Sequence, residues 1–405
     1  MTITCADCGS AQLLPEVPPR AVAECHRCDR VLERRAATHL GVSMAAATAM
    51  LVLLPFAAFL PLMRSTIRNL VFESSRLITS VPVIYQEVWF PFALGFLLFA
   101  VLLPGLRALA LVVVLGSIRW GWPTPELGRI FRWNQELRVW SMTDVVVVAG
   151  VATYFRAAAP ADVDVLLGAW CYMTVAALAL TADLTLDRRK VWNAIFPDLA
   201  APPAGRFVSC GVCELAAPGM APRDPCPRCG AALDRDVTRR FVPSLMALAA
   251  AIPLTAPAYD YAVIVNDQLM GLWEFTILGT VQLMADRGLW LLGFVLLVAG
   301  VVIPVVELVG FGWLFARVRF PERKRLVERT RTYRLLRSLV RWPMVIPFIA
   351  AIAAPIVDFP GIDDILAGPG ATPFFLLVVL LVLVVRTFEP RLMWRAAGEA
   401  PEGAT

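Results

Sequence analysis

The sequence predicts an all-α polytopic membrane protein with two parallel repeats of four transmembrane helices, each repeat preceded by a small β domain that carries four cysteines. Three observations predict this fold class. Hydrophobic residues make up 59% of the 405 residues and charged residues only 17%, and the apolar residues fall in long runs. Paired CxxC motifs occur twice, and short motifs recur in both halves of the chain. A soluble protein of this length would carry more surface charge.

Eight segments are apolar enough to be membrane spans, because about 20 apolar residues cover the hydrocarbon core of a bilayer. In chain order they are 40–63, 88–118, 139–155, 165–182, 241–258, 288–315, 342–357 and 365–385. The first span follows a polar segment that contains no small-residue cleavage site. We therefore expect no cleaved signal peptide.

Lysine and arginine are concentrated in alternate loops. If the N-terminus is cytoplasmic, the cytoplasmic segments contain 31 of the 37 basic residues, and the opposite loops contain five. Basic residues close to the ends of spans stay on the cytoplasmic side of a membrane. Both termini are therefore predicted to be cytoplasmic. The basic residues flank helices and lack a base-stacking module, so the net charge of +5 does not indicate nucleic-acid binding.

Eight of the nine cysteines form two sets of paired CxxC motifs. The sets are Cys5, Cys8, Cys25 and Cys28, and Cys210, Cys213, Cys226 and Cys229. Two such knuckles offer four thiolates to one tetrahedral Zn²⁺, so the sequence predicts two structural zinc sites in zinc ribbons, with iron as the competing metal. Gly9 and Gly230 follow knuckle cysteines, where the turn needs a positive φ. Disulfides and a thioredoxin-like redox pair are the alternatives, but the reducing cytoplasm and the absence of a βαβ pattern disfavour both.

The remaining cysteine and the two histidines are not needed for these sites. His26 lies inside a knuckle and His39 at the membrane edge, and both are predicted to be surface residues because four cysteines already complete each site. Cys171 lies in the fourth span, where it is expected to behave as a small apolar residue.

Sequence motifs repeat at an offset of 202 residues. The segment RVWSM at 138–142 matches RWPM at 341–344, and TLDRRKVW at 185–192 matches TFEPRLMW at 387–394. Four spans per half return the second ribbon to the side of the first, so the repeats are parallel. The predicted domains are ribbon 1 (1–38), transmembrane module 1 (39–190), a linker with ribbon 2 (191–238), transmembrane module 2 (239–396) and a C-terminal tail (397–405).

Five charged residues fall in or beside the spans, where ionisable groups are costly and often functional. They are Arg107, Glu307, Asp144, Arg156 and Asp358. One interpretation is a polar network for transport. The alternatives are a structural ion pair between Arg107 and Glu307, and snorkelling of Arg156 and Asp358 to the membrane surface.

No catalytic constellation is present in the sequence. It contains no GxSxG, HExxH or Walker motif, and only two histidines. We therefore expect that the protein is not an enzyme and that this chain alone is not an ATP-driven pump.

Taken together, these motifs resemble the paraquat-inducible protein A (PqiA/LetA) family over nearly the whole chain. The resemblance rests on the two ribbons, on RVWSMTDVVVVAGVATYFR at 138–156, on residues 276–314, and on FEPRLMW at 388–394. The chain departs from the family pattern where a lysine is usual at Arg107 and Glu307, and where an acid is usual at Ile346.

The resemblance implies a multi-pass protein of the bacterial inner membrane and a role in lipid transport. It implies that the protein passes phospholipid to or from a periplasmic MCE-domain partner that forms a tunnel. The alternative function is a membrane-anchored zinc-ribbon scaffold, or a stress or metal sensor, without transport activity. An ion-coupled transporter of small molecules is a third class, which the scarcity of acids within the spans disfavours.

Overall fold

A computed structural model of the chain describes residues 2–13, 17–18, 21–34, 40–67, 70–78, 90–158, 162–200, 207–218, 224–233, 238–268, 271–320, 323–346, 348–349, 352 and 363–398. The first ribbon consists of two antiparallel hairpins, each with a CxxC motif at its end. Its strands are β1 (Thr2–Thr4), β2 (Ala11–Leu13), β3 (Val22–Glu24) and β4 (Val31–Arg34).

The first transmembrane module follows the first ribbon. In chain order its elements are α1 (Leu40–Phe59), β5 (Met63–Ile67), β6 (Leu70–Ser75), α2 (Phe90–Leu97), α3 (Leu103–Arg119), α4 (Glu126–Leu137), α5 (Thr143–Ala157), β7 (Asp162–Val165), α6 (Leu167–Thr185) and α7 (Arg188–Ile195). A π-helical segment, Leu98–Leu102, joins α2 to α3. A short 3₁₀ turn, Pro197–Ala200, follows α7.

The second ribbon contains the hairpin β8 (Phe207–Ser209) and β9 (Ala216–Pro218), and a single bridge between Pro225 and Ala232. The second module repeats the order of the first. Its elements are α8 (Thr238–Asp260), β10 (Ile264–Gln268), β11 (Gly271–Phe275), α9 (Ile277–Asp286), α10 (Trp290–Leu297), the π-helical segment Val298–Val302, α11 (Ile303–Arg319), α12 (Leu326–Leu339), the 3₁₀ turn Trp342–Met344, β12 (Asp363–Ala367), α13 (Ala371–Thr387) and α14 (Arg391–Ala396).

Among the described residues, five helices are long and apolar enough to cross a membrane. They are Leu40–Phe59, Ala93–Arg119, Leu167–Thr185, Phe241–Asp260 and Trp290–Arg319. Two predicted spans correspond to shorter apolar helices, Thr143–Phe155 and Ala371–Thr387. The remaining predicted span, 342–357, lies partly outside the described residues, so four spans in each module stays a prediction.

Two three-stranded antiparallel sheets correct the expectation that everything outside the ribbons is helical. The first has the strand order β6-β5-β7 and the second the order β11-β10-β12. In each sheet two strands follow the first helix of the module, and the third strand directly precedes its last long helix. The sheet therefore joins two connections that are far apart in the sequence. Because α1 runs from the first ribbon to β5, the sheets lie at the end of the modules opposite the ribbons. We call these two ends the sheet face and the ribbon face.

The first and last long helices of each module pack against each other, α1 on α6 and α8 on α13. The two modules meet through α2, α5 and the helical residues that follow Met344. There the rings of Phe96 and Phe348 pack edge to face, with centroids 5.7 Å apart. Large apolar side chains such as Val52 and Phe294 remain exposed by 58% and 63%. Helices that are apolar on their outer faces as well as within the core are suited to a lipid environment.

Matching prolines interrupt the second long helix of both modules. Pro104 and Pro304 have no N–H to donate to the carbonyl four residues earlier, and each follows a π-helical segment. A tyrosine from a neighbouring helix satisfies the carbonyl instead. The hydroxyl of Tyr172 donates to the Ala100 carbonyl at 2.9 Å, and that of Tyr259 donates to the Gly300 carbonyl at 2.7 Å.

Each ribbon packs against the module of the other half of the chain. The guanidinium of Arg27 in the first ribbon lies 4.7 Å from the ring centroid of Trp394 in α14. At the matching position of the second ribbon, Arg228 lies 5.0 Å from the ring centroid of Trp192 in α7. The ribbons also contact each other, because Arg30 forms an ion pair with Glu214 at 2.8 Å. At the ribbon face, the two ribbons therefore contact each other and each packs on the module of the other half.

Candidate metal centres, charged pairs and membrane cavity

The four CxxC knuckles share one turn geometry. In each, the backbone N–H of the residue after the second cysteine donates to the carbonyl of the first cysteine, at 2.8–3.2 Å. That residue has a positive φ in all four, namely Gly9 (77°), Asp29 (56°), Glu214 (62°) and Gly230 (67°). The prediction of positive φ at the two glycines is confirmed. Asp29 and Glu214 were not predicted, although they occupy the same position in their motifs.

The eight knuckle cysteines are buried and form two clusters. Within each cluster all four sulfur atoms lie within 4.8 Å of one another, and the closest pairs are 3.5–3.6 Å apart. Four sulfurs bound tetrahedrally at 2.3 Å from Zn²⁺ are about 3.8 Å apart. No cysteine is disulfide-bonded. Both clusters therefore fit a metal ion with four thiolate ligands.

The thiols of each cluster are close enough to hydrogen-bond to one another, which shifts their pKa values in opposite directions. Hydrogen bonding to Cys25 raises the pKa of Cys8, whereas hydrogen bonding to Cys28 lowers the pKa of Cys25. The second cluster behaves in the same way, with the pKa of Cys213 raised by Cys210. A cation that replaces the shared protons allows all four sulfurs to ionise.

Residues outside the four cysteines shape the first cluster. His26 is exposed and its Nδ1 lies 2.7 Å from Oε1 of Gln12, so it is a surface residue as predicted. His39 lies outside the described residues. Arg334 of α12 donates to the carbonyl of Cys28 at 2.6 Å and to its Sγ at 3.3 Å. The second module thus contacts a predicted metal ligand of the first ribbon directly.

Asp7 organises the charges around the first cluster. Its buried carboxylate accepts from Arg30 at 2.6 Å and from Arg334 at 2.8 Å. Burial lowers the pKa of Arg30, but the carboxylates of Glu214 and Asp7 more than offset this and raise it above the ordinary value. Asp7 therefore links the first ribbon to α12, and its partner Arg30 links the first ribbon to Glu214 of the second.

Arg107 forms an ion pair with Asp183 near the end of α6. Arg138 lies 3.1 Å from the other carboxylate oxygen of Asp183. The expected alternative of an ion pair between Arg107 and Glu307 is not found. Glu307 is fully buried, and neither of its carboxylate oxygens has a hydrogen-bond partner among the described residues. The physical reason is that α6 packs in the same module as α3 and places Asp183 beside Arg107.

The other predicted polar residues are separate from this pair. Asp144 lies in the first turn of α5 and forms an ion pair with Arg341 of the second module at 2.7 Å. Arg156 lies near the end of α5, and its side chain is outside the described part of the structure. Asp358 is also outside the described residues. Among those that are described, the structure shows local ion pairs and does not join the predicted residues into one network.

An apolar cavity of about 230 Å³ lies below the first sheet, between α5 and α6. Its walls include Met63, Leu77, Val147, Gly150, Tyr172 and Met173. Three residues that line it, Val151, Phe155 and Trp170, are 46%, 46% and 59% exposed. An engineered apolar cavity of about 150 Å³ stays dry and binds benzene, so this space is suited to part of a hydrocarbon chain.

The sequence matches the family model of paraquat-inducible protein A over residues 40–196 and 243–398. These ranges make up most of the chain and coincide with the two transmembrane modules. The chain belongs to the paraquat-inducible protein A family. The family match confirms the predicted internal duplication of the modules, and the ribbons lie outside its two ranges.

Three curated relatives of this family member are similar over nearly their whole length. It is 25% identical to the Intermembrane transport protein PqiA of Escherichia coli K12, covering 97% of this chain and 95% of the relative. It is 23% identical to a Probable intermembrane transport protein of Haemophilus influenzae, with the same coverages. It is 24% identical to the Lipophilic envelope-spanning tunnel protein A of Escherichia coli K12, covering 97% and 91%. No solved structure matches the chain.

In this member of the PqiA family, sequence reasoning missed Asp183 and Arg341. Asp183 was placed just beyond the predicted fourth span, which ended at residue 182, whereas α6 continues to Thr185. A signal was available for Arg341, because it lies in the repeated RWPM motif, one position beyond the residue that matches Arg138 of RVWSM. Both arginines form ion pairs with acids of the first module.

Proposed function

We propose that this protein is the inner-membrane subunit of an intermembrane lipid-transport system. The supporting observation is the apolar cavity between α5 and α6, which has the chemistry of an acyl-chain site and lies beneath the first sheet. The printed names of the relatives, intermembrane transport protein and envelope-spanning tunnel protein, agree with such a role.

The proposed orientation places the ribbon face in the cytoplasm and the sheet face in the periplasm. It is supported by the concentration of basic residues in the segments of the ribbon face. In this orientation the sheets form the docking surface for a periplasmic MCE-domain partner, and phospholipid passes between that partner and the cavity.

We propose zinc as the metal of both ribbons. Four buried thiolates in a closed site suit Zn²⁺, and a closed site has no open position for chemistry. The metal therefore has a structural role, which is to hold the two ribbons in the shape that fits the opposite modules. We also propose that the domain boundaries lie after residues 38, 190, 238 and 396.

The charged residues in the modules are proposed to stabilise the fold. Arg107 with Asp183, and Asp144 with Arg341, satisfy each other in pairs, and the second pair joins the two modules. Glu307, Arg156 and Asp358 stay candidates for a polar path across the membrane.

The test is to measure phospholipid that co-purifies with the detergent-extracted protein, by lipid extraction and mass spectrometry. Gly150 lines the cavity, and a Cβ atom added there meets no atom within 4 Å. Gly150→Leu is therefore expected to fill the cavity and reduce bound phospholipid.

The matched control for this test is Gly312→Leu. Gly312 also lies within an apolar helix and also has open space at its Cβ position, but it does not line the cavity. The gain in helix propensity is the same in both variants. Equal phospholipid in the two variants and in the wild type would refute the cavity as the lipid site.

A further inference from the structure

A second groove lies on the ribbon face of the first module, far along the helices from the cavity under the sheet. It has a volume of about 390 Å³ and is formed between the start of α1, the end of α3 and α7. Its apolar lining comprises Leu40, Met44, Leu115 and Ile118. Gly41 also lines it, and the position of its missing side chain meets nothing within 4 Å, which keeps the groove open.

Two cations lie at this groove. Arg119 is the last residue of α3, is exposed, and forms no ion pair within the described part of the chain. Lys190 in α7 is also exposed, and its Nζ lies 3.5 Å from Oδ2 of Asp187. That carboxylate offsets only one of the two positive charges. The groove therefore combines an apolar floor with a net positive end.

The groove lies at a depth where lipid headgroups are expected. Trp120 follows Arg119 directly and Trp122 lies two residues further on, and they are 70% and 76% exposed. Exposed tryptophans are enriched at the boundary between hydrocarbon and water, at the level of the headgroups. A molecule in this groove would therefore place its charged part beside Arg119 and Lys190 and its apolar part along α1 and α3.

The second module provides an internal comparison. Helices α1 and α8 end at Phe59 and Asp260, 201 positions apart, and at this offset Phe241 corresponds to Leu40. Helices α3 and α11 begin at Leu103 and Ile303, 200 positions apart, and at this offset Phe315 corresponds to Leu115. The rings of Phe241 and Phe315 pack together with centroids 5.2 Å apart.

The charge also differs between the modules. The repeated segments 185–192 and 387–394 place Leu392 where the first module has Lys190. Aromatic rings thus occupy the matching region of the second module, and one of its two cations is replaced by an apolar residue. The open, cationic groove is a feature of the first module.

From this combination we infer that the groove binds an acidic phospholipid from the membrane leaflet next to the ribbons. Its phosphate is held by Arg119 and Lys190, and its acyl chains lie along Leu40, Met44 and Leu115. A free phosphate ion would present the same anionic group to Arg119 and Lys190. Only a lipid would also occupy the apolar floor of the groove. This binding is separate from the proposed transport, because it uses neither the cavity under the sheet nor its residues.

The experiment measures lipid binding to the full-length protein in detergent by native mass spectrometry. The probes are short-chain phosphatidylglycerol, short-chain phosphatidylcholine, and inorganic phosphate as a competitor. We expect phosphatidylglycerol to bind more tightly than phosphatidylcholine, and inorganic phosphate to compete poorly. Lys190→Leu, which copies the second module, is expected to weaken phosphatidylglycerol binding about fivefold, since one basic residue contributes about 1 kcal/mol at an anionic lipid surface.

Two further variants separate the groove from other surfaces. Leu115→Phe copies Phe315 and should fill the groove and abolish this binding, whereas Arg319→Gln, at the position in the second module that matches Arg119, should leave it unchanged. Gly150→Leu should also leave it unchanged, which distinguishes this site from the cavity. The inference is overturned if Lys190→Leu and Leu115→Phe bind phosphatidylglycerol like the wild type. It is also overturned if inorganic phosphate displaces the lipid completely, because the site would then be one for a free anion.

Discussion

Asp183 is the acidic partner that allows Arg107 to be buried in the first module. The side chains of the two residues are only 14% and 7% exposed, and Arg138 adds a second positive charge to the same carboxylate. Removing one member of a buried ion pair leaves an uncompensated charge, which costs more than losing both members. At the residue scale, the stability of this module therefore depends on the pair.

We predict that Asp183→Leu and Arg107→Leu each destabilise the protein by about 3–5 kcal/mol, and that the double variant recovers part of the loss. Thermal unfolding of the purified protein in one detergent measures the three variants. Arg325→Leu is a control, because Arg325 is largely exposed and its contact with Glu328 is 3.8 Å. Strictly additive losses would show that the two residues act independently.

The identity of the partner could not be read from the sequence. The repeat places Arg107 and Glu307 at corresponding positions, which made a pair across the two modules attractive. The pair that forms instead depends on which helices pack together within a module, and α6 brings Asp183 to α3 from 76 positions away. The spacing of residues along one helix carries no information on such a contact.

At the scale of elements, the ribbons are determined by short-range sequence. Each CxxC turn closes within a few residues, so spacing alone predicted the two clusters of four cysteines and two of the four positive-φ residues. The two sheets of the sheet face were not predicted, since β7 pairs with β5 across about a hundred residues and the strands are only four to six residues long. Their segments were interpreted as loops because they are short and lie between apolar runs.

Metal analysis tests the ribbons as elements. We predict two zinc ions per chain in the wild type and one in Cys25→Ser, together with a lower yield of folded protein, because the metal stabilises the ribbon directly. Cys171→Ser is the matched control, since Cys171 lies in α6 outside both clusters, and it should retain two ions. Purified wild-type protein with neither zinc nor iron would contradict the assignment.

The tyrosines at the interrupted helices provide a second test at this scale. Tyr172→Phe and Tyr259→Phe each leave a proline-freed carbonyl without its donor, and an unsatisfied buried polar group costs about 1–3 kcal/mol. Both variants should therefore lower the unfolding temperature in detergent. Tyr261→Phe should not, because Tyr261 is 56% exposed. Equal unfolding temperatures for all three variants would show that the hydrogen bonds from Tyr172 and Tyr259 to these carbonyls do not stabilise the protein.

At the scale of the whole molecule, the two halves of the chain exchange their ribbons at the ribbon face. Each ribbon precedes one module in the chain and packs on the other, through Arg27 with Trp394 and Arg228 with Trp192. The repeated tryptophans at the ends of the two modules thus have a defined role as docking points. The parallel orientation of the repeats makes this exchange possible, because it brings both ribbons to the same face.

Reporter fusions test the orientation of this assembly. Fusions after positions 30, 130, 220, 330 and 400 are predicted to be cytoplasmic, and fusions near 75, 270 and 362 to be periplasmic. The basic residues of the ribbon face are the reason, since they resist translocation. One reproducible reversal among the eight fusions would show that a predicted span does not cross the membrane.

The proposed function requires that the first module holds lipid in the cavity between α5 and α6. Electron cryomicroscopy of the full-length protein in nanodiscs that contain phosphatidylethanolamine and phosphatidylglycerol tests it most directly. We expect elongated density inside the cavity, lost in Gly150→Leu and retained in Gly312→Leu. An empty or collapsed cavity in a map that resolves the surrounding annular lipids would contradict it.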